Sequence, residues 1–253
     1  ELLIDNPDYP YSVFEKITQI ESEHFWYTGR RISVRNLMQK RIKFSNNMRF
    51  LEIGAGTGAM GTFLQNHFGG YFVVSEASIS ALINARKRNP ELHYVQLDAL
   101  NIPYKSDFDV VGMFDVVEHL EDDFKVMREI HQALDKKGYV LLTVPQYSWM
   151  WSEHDEMSGH KRRYNRKTLR YLMEKSNFEI VFMSSYLFVA FPLMLIARIF
   201  KKKEKISEVS GLEISRFMNK ILSLTTRFDA WLIKLGISLP YGGSLIAIGK
   251  KNA

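Results

Sequence analysis

The sequence predicts a doubly wound α/β fold. Short, almost continuously apolar strands alternate with helical segments from Met48 onward, a glycine-rich turn (LEIGAGTG) follows the first strand, and acidic residues end three successive strands. Strands that are apolar along their whole length are expected where helices cover a parallel sheet on both faces.

The elements follow in order. Residues from about 10 to 44 mix aromatic and basic residues at helical spacing and read as helices across the mouth of the core, or as a packing appendage. MRFLEIG is the first strand, a helix runs from about Ala59 to His67, YFVVSEA is the second strand, and a helix from about Ser78 to Arg88 continues this βαβ pattern. LHYVQLD, FDVVGMF and YVLLTVP continue the strands, with a helix from about Asp122 to Leu134 before the last of them. A polar loop from Gln146 to Arg166, a helix from about Lys167 to Lys175 and the strand FEIVFMSSYLF come next, and SLIAIGKK closes the chain. Between the last two strands lie the apolar run Tyr186 to Phe200, the charge run KKKEK and an amphipathic helix from about Glu213 to Leu235. The apolar run contains Pro192 and Arg198 and falls short of the roughly 20 residues of a membrane span. One domain over 1–253 is expected, divided into a helical lid (1–46), a nucleotide-binding core (47–188), an apolar and basic helical insertion (189–241) and a closing strand (242–253).

The formal charge of +6 favours anionic partners such as phosphates or membrane surfaces without singling out nucleic acid. The absence of Cys excludes disulfides, thiolate metal sites and cysteine nucleophiles. The opening ELLIDNPDYPYS has no basic stretch leading into an apolar run, so cytoplasm is the expected location.

Gly54, Gly56 and Gly58 are spaced GxGxG directly after a buried strand, where missing side chains let backbone approach a ligand. A nicotinamide dinucleotide site prefers GxGxxG, with pyrophosphate on the helix N-terminus. Glu52, two positions before the first glycine, would repel pyrophosphate and attract an ammonium group. Glu76 ends the second strand 18 residues after Gly58, placed to accept ribose hydroxyls, and Asp98 ends the third, placed to accept from an adenine amino group. Taken singly, each carboxylate also reads as a solvated strand end or a cap. Together they mark the face where such sheets bind ligands.

This pattern resembles the class I S-adenosylmethionine-dependent methyltransferases. The likeness runs from Phe50 to Phe188, through FDVVGMFDVVEHLED and HQALDKKGYVLLTVP, and includes the C-terminal strand. It implies a Rossmann-like seven-stranded sheet of order 3-2-1-4-5-7-6 with the last strand antiparallel. It also implies S-adenosylmethionine as cofactor, leaving as S-adenosylhomocysteine, with no metal. On the matching positions, Glu52, Gly54, Ala55, Gly56 and Gly58 hold the methionine portion and ribose, Glu76 and Ala77 the ribose, and Asp98 and Ala99 the adenine, with Phe114 beside them.

Methyl transfer from a sulfonium requires an aligned acceptor and, for a hydroxyl, removal of a proton. Asp115, Glu118 and His119 follow the fourth strand, and Asp115 is placed to touch cofactor or acceptor. The loop after the fifth strand gathers Trp149, Trp151, His154, Asp155, His160, Arg162, Arg163 and Tyr164. His160 is the candidate base with His154 behind it, Arg162 and Arg163 are a guanidinium pair able to grip an anion, and Trp151 and Tyr164 line the acceptor. Structural hydrogen bonds and salt bridges are the rival roles. Trp26, Tyr27 and Arg30 are candidate lid residues over the acceptor, with core packing as the alternative.

WSEHDxxxGHKRRY, EHFWYTGRR and LPYGGSLIAIGKK resemble a bacterial subgroup encoded among cell-surface polysaccharide and glycolipid genes. That likeness implies O-methylation of a small or lipid-linked, sugar-containing acceptor. The insertion at 189–241, with Lys201, Lys202, Lys203 and Lys205, suggests peripheral contact with the inner face of a membrane, against a buried helical subdomain or a homodimer interface. Nucleic-acid methylation is the minor alternative: FDVVEHL stands where base N-methyltransferases carry an Asp or Asn before PPY, and carbon-5 methylation needs a Cys. RNA methylation and a non-catalytic cofactor-binding scaffold remain as the competing functions.

Overall fold

The computed structural model describes residues 11–200 and 214–252. Lys201, Lys202, Lys203 and Lys205, expected at a membrane surface, lie outside the described residues.

Two helices open the described chain, α1 (Tyr11–Ile20) and α2 (Phe25–Arg41). The alternation then runs β1 (Arg49–Ile53), α3 (Ala59–Phe68), β2 (Tyr71–Glu76), α4 (Ile79–Arg88), β3 (His93–Gln96), β4 (Phe108–Phe114), α5 (Asp123–Ala133) and β5 (Leu134–Pro145). After it come α6 (Glu153–Met157), α7 (Arg166–Lys175), β6 (Phe178–Tyr186), α8 (Phe191–Phe200), α9 (Arg216–Leu235) and β7 (Ser244–Lys251). The seven strands pair in the order β3-β2-β1-β4-β5-β7-β6, and β7 runs antiparallel to both of its neighbours, as expected.

Two differences matter for the site. The loop after β5 is not structureless: a 3-10 turn at Ser148–Met150 and α6 fold it back, and a parallel bridge joins Gln146 to Tyr164. β5 begins at Leu134, five residues before the predicted apolar run, because an irregular register lets Phe108 pair with Leu134.

Alternation along each strand feeds two cores. Leu51, Ile53, Val111, Met113, Val140 and Leu142 face α5 and α7. Phe50, Phe72, Val110, Leu141, Ile246 and Ile248 face the layer built from α2, α3 and α9. The N-terminal lid and the insertion before β7 are therefore not separate appendages. The inner face of α9 (Leu222, Thr226, Asp229, Ala230, Ile233) is buried, and Asn36 donates to the Ala230 carbonyl at 2.8 Å. The Phe25 amide donates to Asn219 Oδ1 at 2.8 Å. Gly29 lets the two helices touch, since a Cβ there would lie 2.6 Å from Thr226 Cβ. Asp229 then takes the Phe188 amide at 2.7 Å, tying α9 to the chain leaving β6. Among the described residues no helix is long and apolar enough to cross a membrane.

Candidate active site

The C-terminal ends of β1, β2, β4 and β5 converge on the glycine loop. Gly54, Gly56 and Gly58 all have positive φ (69°, 54° and 73°), a conformation that side chains disfavour. Glu76 fastens this loop to β2: its Oε2 accepts the Gly56 amide at 2.9 Å and its Oε1 the Ala77 amide at 2.8 Å. Ala55 bonds through its amide to the Ser75 carbonyl. Asp98 caps the turn after β3, accepting the Leu100 amide at 2.9 Å and the Asn101 side chain at 2.7 Å, with Ala99 buried beside it. Glu76 and Asp98 keep partial exposure at adjacent strand ends. Such carboxylates suit the ribose and adenine of a nucleoside cofactor.

Glu52 departs from its expected role. It shares a strand face with Phe50, so its side chain turns under α3 instead of out to a ligand, and the residue is 2% exposed. A Cβ on Gly61 would lie 2.6 Å from Glu52 Oε2, so that glycine is what admits the carboxyl. Burial pushes its pKa up to about 8, against the nearby Arg30 charge and the Gly61 amide. Burial therefore favours the neutral acid, and a cation beside it would favour the carboxylate.

Arg30 reaches down from α2 to the end of β4. Its Nη1 donates to Asp115 Oδ2 at 2.5 Å and to the Phe114 carbonyl at 3.2 Å, and its guanidinium lies 4.5 Å from the centre of the Trp26 ring. Asp115 also accepts from Thr143 Oγ1 at 3.1 Å and has φ 58°, a strained value for a non-glycine residue and one that clusters at functional sites. Tyr27 is buried against Trp26, edge to face. Trp26, Arg30 and Asp115 thus form one unit where lid meets sheet.

Asp155, fully buried on α6, organises the acceptor loop. It accepts from His160 Nδ1 at 2.8 Å, from Arg163 Nε at 2.7 Å and Nη2 at 3.0 Å, and from the Ser152 amide and hydroxyl. Although burial works against its charge, the hydrogen bonds from His160 and Arg163 hold the Asp155 carboxyl well below the usual carboxylate range. The anion grip expected of Arg162 and Arg163 is not formed. Arg163 spends Nε and Nη2 on Asp155 and Nη1 on the Gln146 carbonyl, while Arg162 pairs with Asp123 at 2.8 Å and the Glu121 carbonyl at 2.7 Å. Tyr164 is 3% exposed and donates to Asp123 at 2.8 Å, so it belongs to the core and not to an acceptor surface. His154 and Trp151 are exposed, and the His154 ring centre is 6.4 Å from that of His160.

Some participants were not singled out from sequence. Glu21, 3% exposed between α1 and α2, accepts from Thr57 Oγ1 of the glycine loop and from Arg88, both at 2.6 Å. The N-terminal element therefore touches the cofactor loop directly. His119, already named from sequence after the fourth strand, lies 4.6 Å from His160, ring centre to ring centre and edge to face, which joins the turn after β4 to the acceptor loop.

Glycine loop, acidic strand ends and a sheet closed by an antiparallel seventh strand define the architecture of the class I methyltransferases. The chain belongs to the methyltransferase-domain family, whose model matches residues 27–182. S-Adenosylmethionine is the cofactor of this domain. No curated protein matches the sequence. Among solved structures, a phosphoethanolamine N-methyltransferase of Haemonchus contortus in complex with S-adenosylmethionine is similar (TM-score 0.65, 19% identity) over 98% of this chain and 59% of that one. An S-adenosylmethionine-dependent methyltransferase of Mesorhizobium loti is similar over 85% of this chain and 95% of that one (TM-score 0.58, 15% identity). The [4+2]-cyclase SpnF is similar over 99% of this chain and 98% of that one (TM-score 0.62, 14% identity), so the shared fold does not by itself fix the reaction.

Proposed function

We propose that this chain methylates an oxygen of a small or lipid-linked, sugar-containing acceptor. The observation that carries the oxygen is the His160–Asp155 pair: Asp155 fixes the imidazole through Nδ1 and leaves its other nitrogen for work on a hydroxyl. The sugar rests on the likeness of the acceptor-loop and terminal motifs to the polysaccharide and glycolipid subgroup. When bound, S-adenosylmethionine supplies an electrophilic methyl group on a sulfonium. Glu76 and Asp98 are the residues to hold its ribose and adenine, Asp115 and Arg30 shape the boundary between donor and acceptor, and Trp26 with Tyr27 excludes water from above.

The test is formation of S-adenosylhomocysteine in the presence of sugar nucleotides and lipid-linked saccharides. Turnover only with RNA or with an amine acceptor overturns the assignment, and cofactor binding without turnover on any acceptor leaves a scaffold. Glu76→Ala is expected to weaken S-adenosylhomocysteine binding by about 10- to 100-fold in calorimetry, the worth of hydrogen bonds to a charged group. Unchanged affinity would remove Glu76 from the site.

We further propose that the enzyme works at the inner face of a membrane, docked through α9. Phe217, Ile221, Leu224, Phe228, Trp231 and Leu235 are exposed on its outer face, spaced alternately four and three residues apart. Arg216, Lys220, Arg227 and Lys234 flank this stripe, and the one acid of α9, Asp229, is buried on the other side. Two copies paired through this face would set cation against cation, whereas anionic headgroups complement it. The protein is expected to sediment with anionic vesicles and not with zwitterionic ones, and Trp231→Glu should abolish this. Indifference to anionic vesicles would sink the proposal.

A further inference from the structure

Glu118, in the 3-10 turn Val117–His119 after β4, is completely buried, yet neither carboxylate oxygen meets a hydrogen-bond partner in any other described residue. A buried carboxylate without donors is costly and calls for a proton or a cation. Two imidazoles adjoin it. One ligand atom from each of Glu118, His119 and His160 lies within 4.8 Å of the other two, the one grouping of this kind among the described residues. The loop that brings His160 here is latched in place, with the Lys161 amide donating to the Glu118 carbonyl at 2.7 Å.

We propose that Glu118, His119 and His160 bind a divalent first-row transition cation. Each imidazole is held by a partner outside the cluster, His160 through Nδ1 by Asp155 at 2.8 Å and His119 by a hydrogen bond to the Ser158 backbone. Such outer partners orient the ring nitrogen that faces a metal. Two nitrogen donors and one oxygen suit Zn2+ and its neighbours, whereas Mg2+ and Ca2+ prefer oxygen alone. Arg30 and Arg163 are near enough to repel a cation, and Asp115, Asp155 and Glu118 offset them.

In the role that rests on the methyl-transfer reading, a bound ion would lower the pKa of the acceptor hydroxyl; with its proton passing to water, the oxygen would form the bond to the methyl carbon as the C–S bond breaks and its electron pair stays on sulfur, giving S-adenosylhomocysteine. The work on a hydroxyl assigned to His160 in the proposed function is then done through the ion that it would ligate. This replaces the metal-free site that the family resemblance implies.

The experiment is calorimetric titration of the chelator-treated protein with Zn2+ and, separately, with S-adenosylhomocysteine. Saturable Zn2+ binding is expected in wild type, abolished in Glu118→Gln and His160→Gln, and weakened by about 10- to 100-fold in Asp155→Asn, with S-adenosylhomocysteine affinity retained in all three. Visible absorption of the Co2+-loaded wild type, showing imidazole-ligated d–d bands, serves where a variant does not fold. Absence of saturable Zn2+ binding and of those Co2+ bands overturns the site even if S-adenosylhomocysteine binds, and so does binding that survives both ligand substitutions. Loss of S-adenosylhomocysteine binding with Zn2+ binding intact overturns the methyl-transfer reading instead and leaves the metal site standing.

Discussion

Asp155→Ala is expected to destabilise the protein by about 3–5 kcal/mol, read from urea unfolding, because it strands a buried guanidinium. The Arg163 side chain is only 10% exposed, and Asp155 accepts two of its hydrogen bonds. The same substitution unties His160 and uncaps α6, where the Asp155 side chain closes a capping box with Ser152. Turnover should therefore fall with stability, by about 100-fold, the scale of a small misplacement of a reacting group. The pH dependence has a definite sign. The folded-state pKa of Asp155 is depressed, so its contribution is fully present above the ordinary value of 3.8 and is lost as pH falls from there through the lower folded value. The gap between wild type and variant should stay constant near neutrality and close in acid. A variant as stable as wild type at pH 7 would show that Asp155 organises nothing.

The apolar runs made the strands legible, since a strand buried on both faces has little else to be. Strand order was not legible in periodicity and came only with the family likeness, because pairing partners are chosen by crossover connections and not by the strands' own composition. Glu52 shows information present and not used: Phe50 and Glu52 fall on the same face by simple alternation, which turns the carboxyl inward under Gly61. Arg163 shows information that was absent. Its residue type announces a charge able to bind anions, but only tertiary structure shows that Asp155 already holds it. The joining of lid to insertion was hidden for the same reason, although Gly29 inside an amphipathic helix hinted at close approach, here to Thr226. Glu21 and Thr57 are 36 residues apart, and although Thr57 sits within the glycine motif nothing there pairs it with Glu21, so their contact left no trace in the sequence.

Breaking the pair between Arg30 and Asp115 should have the largest effect on catalysis. Both side chains are about one-seventh exposed, at 14% and 13%, so removing either leaves the other charge desolvated and is expected to cost about 3–5 kcal/mol. Among the described residues the pair is the one ion pair between α2 and the end of β4, and Asp115 carries the strained φ of 58°. Without Arg30, Asp115 can relax from that conformation, and Trp26 loses the guanidinium it stacks on. Arg30→Met and Asp115→Asn are each expected to lower turnover by at least about 100-fold. In a double-mutant cycle the combined variant should be no worse than the weaker single, because each substitution already removes the whole interaction. Losses that add in the double variant would mean that the two residues act separately, Arg30 on the lid and Asp115 on the ligands. With the exposed Trp149, Trp151 and Trp231 replaced by Phe, fluorescence of Trp26 reports on the lid independently of activity: a shift toward the exposed-indole spectrum in both singles is expected if the ion pair is what keeps α2 seated on β4.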